Sequence, residues 1–268
     1  MRPRDRQFPM NGPQLQAPIV LAHGALGFDK LRLGGVPLAD YFRGIPALLR
    51  EGGNAVPEPP QLSPTGSVED RAQELKKYLL GNPEIAGQPV HLLAHSMGGL
   101  DARYLISCLD MAARVLTLTT IGTPHQGSAF ADWVLQNQQG FLRALARLGI
   151  SGEALAELTT AKCRERNRQM PDAAGVCYFS IAGQYQPGRL DVLRFPHGVI
   201  RAAEGPNDGL VSVQSATYGE YLGTWERCNH FRLINWPTNL VAPVGEFTDS
   251  LILDSYKALV RQLAKRGF

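Results

Sequence analysis

The sequence predicts an α/β fold: a mostly parallel sheet covered on both faces by helices. Three observations predict it. Short apolar runs rich in β-branched residues alternate with stretches of helical apolar spacing. Glycine-bearing loops follow strand ends, "HGALGF" after Ala22 and "GTPHQGS" after Ile121. No internal repeat or low-complexity segment divides the 268 residues, a length that can bury one large core. A single domain over residues 1–268 is therefore expected, with its chemistry at the carboxyl ends of the strands.

The elements follow in chain order. Ala17-Pro18-Ile19-Val20-Leu21-Ala22 is the first strand. Helical signals run over 41–51 and 67–80, the second opened by Ser67 as an N-cap with Asp70 in the place of a capping-box glutamate. Val90-His91-Leu92-Leu93 reads as a buried strand, and Leu100 to Ile106 has the spacing of a helix. Val115 to Ile121 and Val176 to Gly183 are further strands. Between these last two lies an insertion, residues 129–170, with Trp133, Val134, Leu135, Phe141, Leu142, Leu145, Leu148 and Ile150 at near-helical spacing. That pattern suits a helical lid over the sheet edge and suits plain core packing equally.

Composition excludes several functions. Hydrophobic content of 44% with 19% charged residues is that of a soluble globular protein, and no apolar run reaches the roughly 18 residues of a membrane span. A net charge of +3, scattered along the chain, argues against nucleic acid. The densest basic segment, Lys162 to Arg168, reads as a solvated helix face. Cys108, Cys163, Cys177 and Cys228 form no CxxC pair, which disfavours zinc and thioredoxin-like chemistry and leaves one disulfide open. The N-terminal segment lacks the apolar core of a secretory signal, so localisation stays open between the cytoplasm and secretion after processing.

The chemistry concentrates in "HLLAHSMGGLDARYL", where a strand breaks at Ser96 and resumes as a helix. A serine on so sharp a turn exposes its hydroxyl beside the N–H groups and dipole of a helix start. The residues two before and two after must be small, and they are Ala94 and Gly98. The plain alternative is a serine that merely caps a helix. Where a serine elbow is catalytic in this architecture, the acid and then the base follow it in the chain. Of six histidines only His230 lies late enough to be the base. His91 reads as a core residue, His95 as part of the turn, His125 as a loop residue and His23 as a group that orders backbone. For the acid, "GPNDGLVSV" places Asp208 in a turn, with Asp191 as competitor. The oxyanion donors expected are the N–H groups of Met97, after the serine, and Ala25, where Gly24 and Gly27 let the backbone turn inward.

The segments "PIVLAHGALGFD", "YFRGIPALLREGG", "LLAHSMGGLDARYL", "TLTTIGTPHQGS", "LTTAKCRERNRQMP", "NDGLVS" and "NHFRLIN" resemble, in order and wording, the bacterial true lipases of the Pseudomonas, Burkholderia and Proteus type. The resemblance spans roughly residues 17–236. It implies an α/β-hydrolase fold, hydrolysis of ester bonds in acylglycerols, a triad at Ser96, Asp208 and His230, and oxyanion amides at Ala25 and Met97. The chain departs from the family in three places. Arg232 and Trp236 stand where family members hold a structural calcium; neither is an oxygen ligand, so the calcium is expected to be absent and no cofactor is expected. The insertion is shorter than the lid region of the larger members, which puts interfacial activation in question. Gln214 stands where disulfide-bearing members carry a cysteine. The leading expectation is a lipase on a lipid or small ester, without stable membrane insertion and with at most transient lipid contact. A soluble carboxylesterase or an acyltransferase would use the same triad; a non-catalytic binding protein of the same fold is the rival of another class.

Overall fold

In the computed structural model, which describes residues 14–24, 41–137, 152–236 and 250–268, five strands form one sheet. They are β1 (Ile19–Ala22), β2 (Val90–His95), β3 (Val115–Ile121), β4 (Cys177–Gln184) and β5 (Glu220–Glu226), in the order β1-β2-β3-β4-β5. Every pairing is parallel. The connections are helical, as parallel neighbours require.

Because successive side chains on a strand point to opposite faces, β1 and β2 each feed two cores. Ile19, Leu21 and Leu93 pack with α1 (Ile45–Glu51) and with the C-terminal helix Ser250–Ala264. Val20, Ala22, Leu92 and Ala94 pack with α2 (Val68–Gly81) and α3 (Met97–Cys108). Strands buried on both faces must be apolar at nearly every position, which is why β1 reads Ile-Val-Leu-Ala without alternation. Each fully buried leucine, such as Leu75 or Leu79 of α2, contributes roughly 1.5–3 kcal/mol.

Local signals set the helix starts. Ser67 caps α2 as expected: its hydroxyl oxygen accepts the Asp70 N–H at 3.1 Å and its O–H donates to the Asp70 carboxylate at 2.7 Å. Such a cap is worth about 1 kcal/mol. The first helical signal, expected from 41, starts at Ile45, because Gly44 sits in the left-handed region (φ 72°) and Pro46 presets the first turn. The edge strand β5 was not expected. Its terminal glutamates and the central Gly223-Thr224 leave it no continuous apolar run.

Two expectations on the insertion need correction or completion. Its described helices are α4 (Ala129–Asn137), Gly152–Glu157 and Thr160–Gln169. Phe130, Ala131, Val134 and Leu155 pack with Ile200 of the helix Arg194–Glu204 in a small core of their own. Trp133 is half-buried and Leu135 exposed, while Phe141, Leu142, Leu145, Leu148 and Ile150 lie outside the described residues. The segment from Lys162 to Arg168 is not simply a solvated face: Arg166 is buried, donating to the Glu157 carboxylate and standing 3.7 Å from Glu69. A charge that far inside must be paired. All four cysteines are free thiols, so the disulfide left open by the sequence is not formed.

Candidate active site

The elbow is where β2 hands over to α3. Ser96 has φ 55° and ψ −132°, a sparsely populated conformation that costs a non-glycine residue about 1–3 kcal/mol. It is held by its neighbours: its N–H donates to the Ile121 carbonyl at 3.0 Å, and its carbonyl accepts the Thr123 hydroxyl at 2.7 Å. The small-residue requirement is geometric. A Cβ on Gly98 would stand 2.6 Å from the Ala22 carbonyl oxygen and 2.7 Å from that of His23. On the other side, a Cβ on Gly24 would stand 2.7 Å from the Ser96 Cβ. Only glycine lets the loop after β1 come so close to the serine. Met97 opens α3, so its N–H is one of the unpaired donors of a helix start. Ala25, the other expected oxyanion donor, lies outside the described residues.

Asp208 and His230 are brought together by turn chemistry. The Asp208 carboxylate accepts the N–H groups of Leu210 (2.9 Å) and Val211 (2.8 Å) through Oδ1, which fixes its rotamer and leaves Oδ2 facing the imidazole. Oδ2 lies 2.7 Å from His230 Nδ1, and the His230 N–H donates to the Asp208 carbonyl at 2.8 Å. Both side chains are 1% exposed. A carboxylate can only accept, so Nδ1 carries a proton, and in the neutral ring the lone pair lies on Nε2. Room for the pair comes from two glycines at strand ends: a Cβ on Gly122 would lie 3.2 Å from Asp208 Oδ2, and one on Gly183 would lie 3.2 Å from the Asp208 Cβ. The sequence showed Gly122 only as punctuation in "IGTP".

Ser96 and His230 line one cleft, the serine from the end of β2 and the histidine from the loop after β5. Its remaining walls are mostly apolar: Phe130 and Ala131 of α4, Leu155 and Leu158 from the insertion, and Leu210 and Val211 from the acid's turn. Among the described residues, no group of three or more His, Cys, Asp or Glu side chains is placed to hold a metal ion.

The other candidates occupy different places. Asp191 spends its carboxylate on the Leu193 N–H at 2.8 Å. His23 orders backbone, as expected: Nε2 accepts the Leu62 N–H at 3.0 Å, so Nδ1 donates to the Gly24 carbonyl at 2.9 Å. Burial, with the nearby Arg71 guanidinium adding to it, lowers its pKa to about 4. His91 is buried, and Nδ1 meets the Thr117 hydroxyl at 2.9 Å while Nε2 has no hydrogen-bond partner among the described residues. His125 stacks on Tyr218 behind the site. His95 belongs to the end of β2 rather than to the turn, and burial holds its pKa well below the ordinary histidine value. Sequence reasoning missed Tyr41, which bonds His95, and the fully buried Arg71–Asp101 pair (2.8 Å), whose guanidinium also donates to the His23 carbonyl at 2.6 Å.

A parallel sheet with helices on both faces, a strained serine at a strand end and a carboxylate-bound histidine from later in the chain define the class: an α/β-hydrolase. No protein-family model matches the chain. It is 35% identical over 224 residues to triacylglycerol lipase 2 of Saccharomyces cerevisiae, covering 76% of this chain and 67% of that one. It is 34% identical over 262 residues to the triacylglycerol lipase of Vibrio cholerae, covering 83% and 80%. Among solved structures, the mature Bacillus licheniformis lipase matches with a TM-score of 0.67 at 26% identity, over 87% of this chain and 90% of that one. The Staphylococcus hyicus lipase shares the fold, with a TM-score of 0.68 at 18% identity over 96% and 99%. The chain belongs to the triacylglycerol lipase family.

Proposed function

We propose that the chain hydrolyses acylglycerol esters through an acyl-enzyme on Ser96. His230 Nε2 takes the Ser96 proton as Oγ attacks the ester carbonyl carbon, and Asp208 holds the imidazole and stabilises its charged form. The oxyanion is received by the N–H groups of Met97 and Ala25. As the carbon–oxygen bond breaks, the imidazolium gives its proton to the leaving alkoxide. Water then attacks the acyl-enzyme, His230 taking a proton and returning it to Ser96 Oγ as the fatty acid leaves. The observation that carries this reading is the 2.7 Å Asp208–His230 pair, which opens onto the same apolar cleft as a backbone-strained serine.

The finer expectations belong to the same proposal. The insertion 129–170 acts as a cap, supported by Phe130, Ala131, Leu155 and Leu158 in the cleft wall. A lipid surface rather than a dissolved ester is the favoured substrate form. Supporting it, Leu190 is 97% exposed and Val192 55%, and the ring of Phe195, in the same segment, lies edge-on to Trp133 of α4, 4.9 Å between centroids. Contact is peripheral: no helix among the described residues is long and apolar enough to cross a membrane. Calcium does not fit the loop after His230. Arg232 brings a positive charge, and the Trp236 indole N–H is committed to the Tyr41 carbonyl at 2.8 Å.

A fluorophosphonate probe tests the assignment. It should label the wild type and not Ser96→Ala, which should also lose hydrolysis of emulsified triolein. Labelling and hydrolysis that survive in Ser96→Ala would refute it and favour a different nucleophile. A wild type that takes no label and hydrolyses no ester would favour the non-catalytic rival.

A further inference from the structure

We propose that Tyr41 and His95 are positioning residues for ester hydrolysis, forming a one-directional chain of hydrogen bonds that ties three parts of the active site together. The inference rests on the assignment of Ser96, Asp208 and His230 made above.

The directions follow from which atoms can donate. The His230 carbonyl can only accept, so the 3.1 Å contact from His95 makes Nε2 the protonated ring nitrogen. His95 Nδ1 is then an acceptor, and the Tyr41 O–H donates to it at 2.8 Å. The Tyr41 oxygen in turn accepts the Gly24 N–H at 3.0 Å. The chain therefore runs Gly24 N–H to Tyr41 O–H to the His95 ring to the His230 carbonyl. His95 and His230 are buried, and Tyr41 is 5% exposed, so water does not compete for these bonds. Burial and the neighbouring His230 both keep His95 neutral, which preserves its acceptor nitrogen.

Each end of the chain is a part of the reaction apparatus. Gly24 lies against the Ser96 side chain and leads into the loop expected to supply Ala25. His95 directly precedes Ser96 on β2. His230 is the base, its ring centroid 4.6 Å from that of His95. Three segments far apart in the chain thus take their spacing from two side chains. Tyr41 is itself fixed from outside, its carbonyl accepting the Trp236 indole N–H. Misplacing reacting groups by fractions of an ångström is expensive for the chemical step and nearly invisible to substrate binding.

The test is hydrolysis of p-nitrophenyl butyrate by the full chain, with kcat and KM measured separately. Tyr41→Phe keeps the ring and removes the linking hydroxyl; kcat should fall about ten- to a hundredfold with KM within about twofold. His95→Gln keeps an acceptor and a donor at the same position and should retain most of kcat, whereas His95→Leu should lose it as Tyr41→Phe does. Tyr256→Phe is the control for a merely structural hydroxyl. That buried O–H donates to the Leu233 carbonyl at 3.0 Å outside the chain, and its loss should lower Tm yet leave kcat within about twofold. The proposal is overturned if Tyr41→Phe loses no more kcat than Tyr256→Phe. If Tyr41→Phe does not fold, the His95 pair decides, equal kcat in His95→Gln and His95→Leu overturning the proposal. Failure of the triad assignment looks different: Ser96→Ala would then keep its activity whatever the Tyr41 result.

Discussion

Replacing Asp208 by asparagine changes two protons and almost no volume, and the structure says which way the amide must face. The Oδ1 position receives two backbone N–H groups, from Leu210 and Val211 at 2.9 and 2.8 Å, so an amide nitrogen there would oppose two donors. The asparagine oxygen therefore stays on the backbone, and its NH₂ takes the Oδ2 place, 2.7 Å from His230 Nδ1. An NH₂ donates, so Nδ1 must now accept and the imidazole proton moves to Nε2. The nitrogen facing the cleft then has no lone pair for the Ser96 proton. The expected loss in kcat is on the order of 10⁴, about 5 kcal/mol of transition-state stabilisation. KM and Tm should change little, because the turn keeps both backbone donors satisfied. Steady-state hydrolysis of p-nitrophenyl butyrate, with thermal unfolding alongside, measures all three. An Asp208→Asn enzyme within tenfold of wild-type kcat would refute the reasoning.

Four other outcomes follow from the geometry. Gly98→Ala drives a Cβ to within 2.6 Å of the Ala22 carbonyl oxygen, so it should shift the elbow and abolish most activity; wild-type kcat in this variant would contradict that. Arg71→Leu leaves the Asp101 carboxylate buried without its partner and should destabilise the fold by about 3–5 kcal/mol, whereas adding Asp101→Leu should recover much of it; urea unfolding of the single and double variants checks the pair. His23 has its folded pKa lowered by burial to about 4 against an ordinary 6.5, so the unfolded chain binds more protons between those values. Stability from this group is fully present above pH 6.5 and is lost as pH falls toward 4, a change of about 3 kcal/mol, and a urea midpoint that stays flat over that window would count against it. Activity should persist after dialysis against a chelator and should not rise with added calcium; dependence on calcium would reverse the reading of Arg232 and Trp236.

The elbow at Ser96 could be read from the chain because its constraints are local. A serine elbow needs a strand, a helix and small neighbours within a few residues, and Val90 to Ile106 carries all of them. Asp208 stood out from Asp191 only weakly, by its Asn and Gly neighbours, and the structure separates them by partner: both accept backbone N–H groups, and Asp208 in addition holds an imidazole. The edge strand β5 and the C-terminal helix went unread. An edge strand needs no continuous apolar run, and an amphipathic helix shows its role only once there is a face for it to cover.

By itself the sequence determined the alternation of strands and helices and the tight turn at Ser96, since each follows from the steric and hydrogen-bonding needs of adjacent residues. Only the tertiary structure decided that Tyr41 would join Gly24 to His95, that Arg71 would be buried against Asp101, and that Arg166, on a helix read as solvated, would turn inward. These polar groups look like surface residues in the chain. Removal from water makes their partners obligatory, and those partners lie far off in the chain, His95 54 residues from Tyr41 and Glu69 further still from Arg166, beyond the reach of any local pattern.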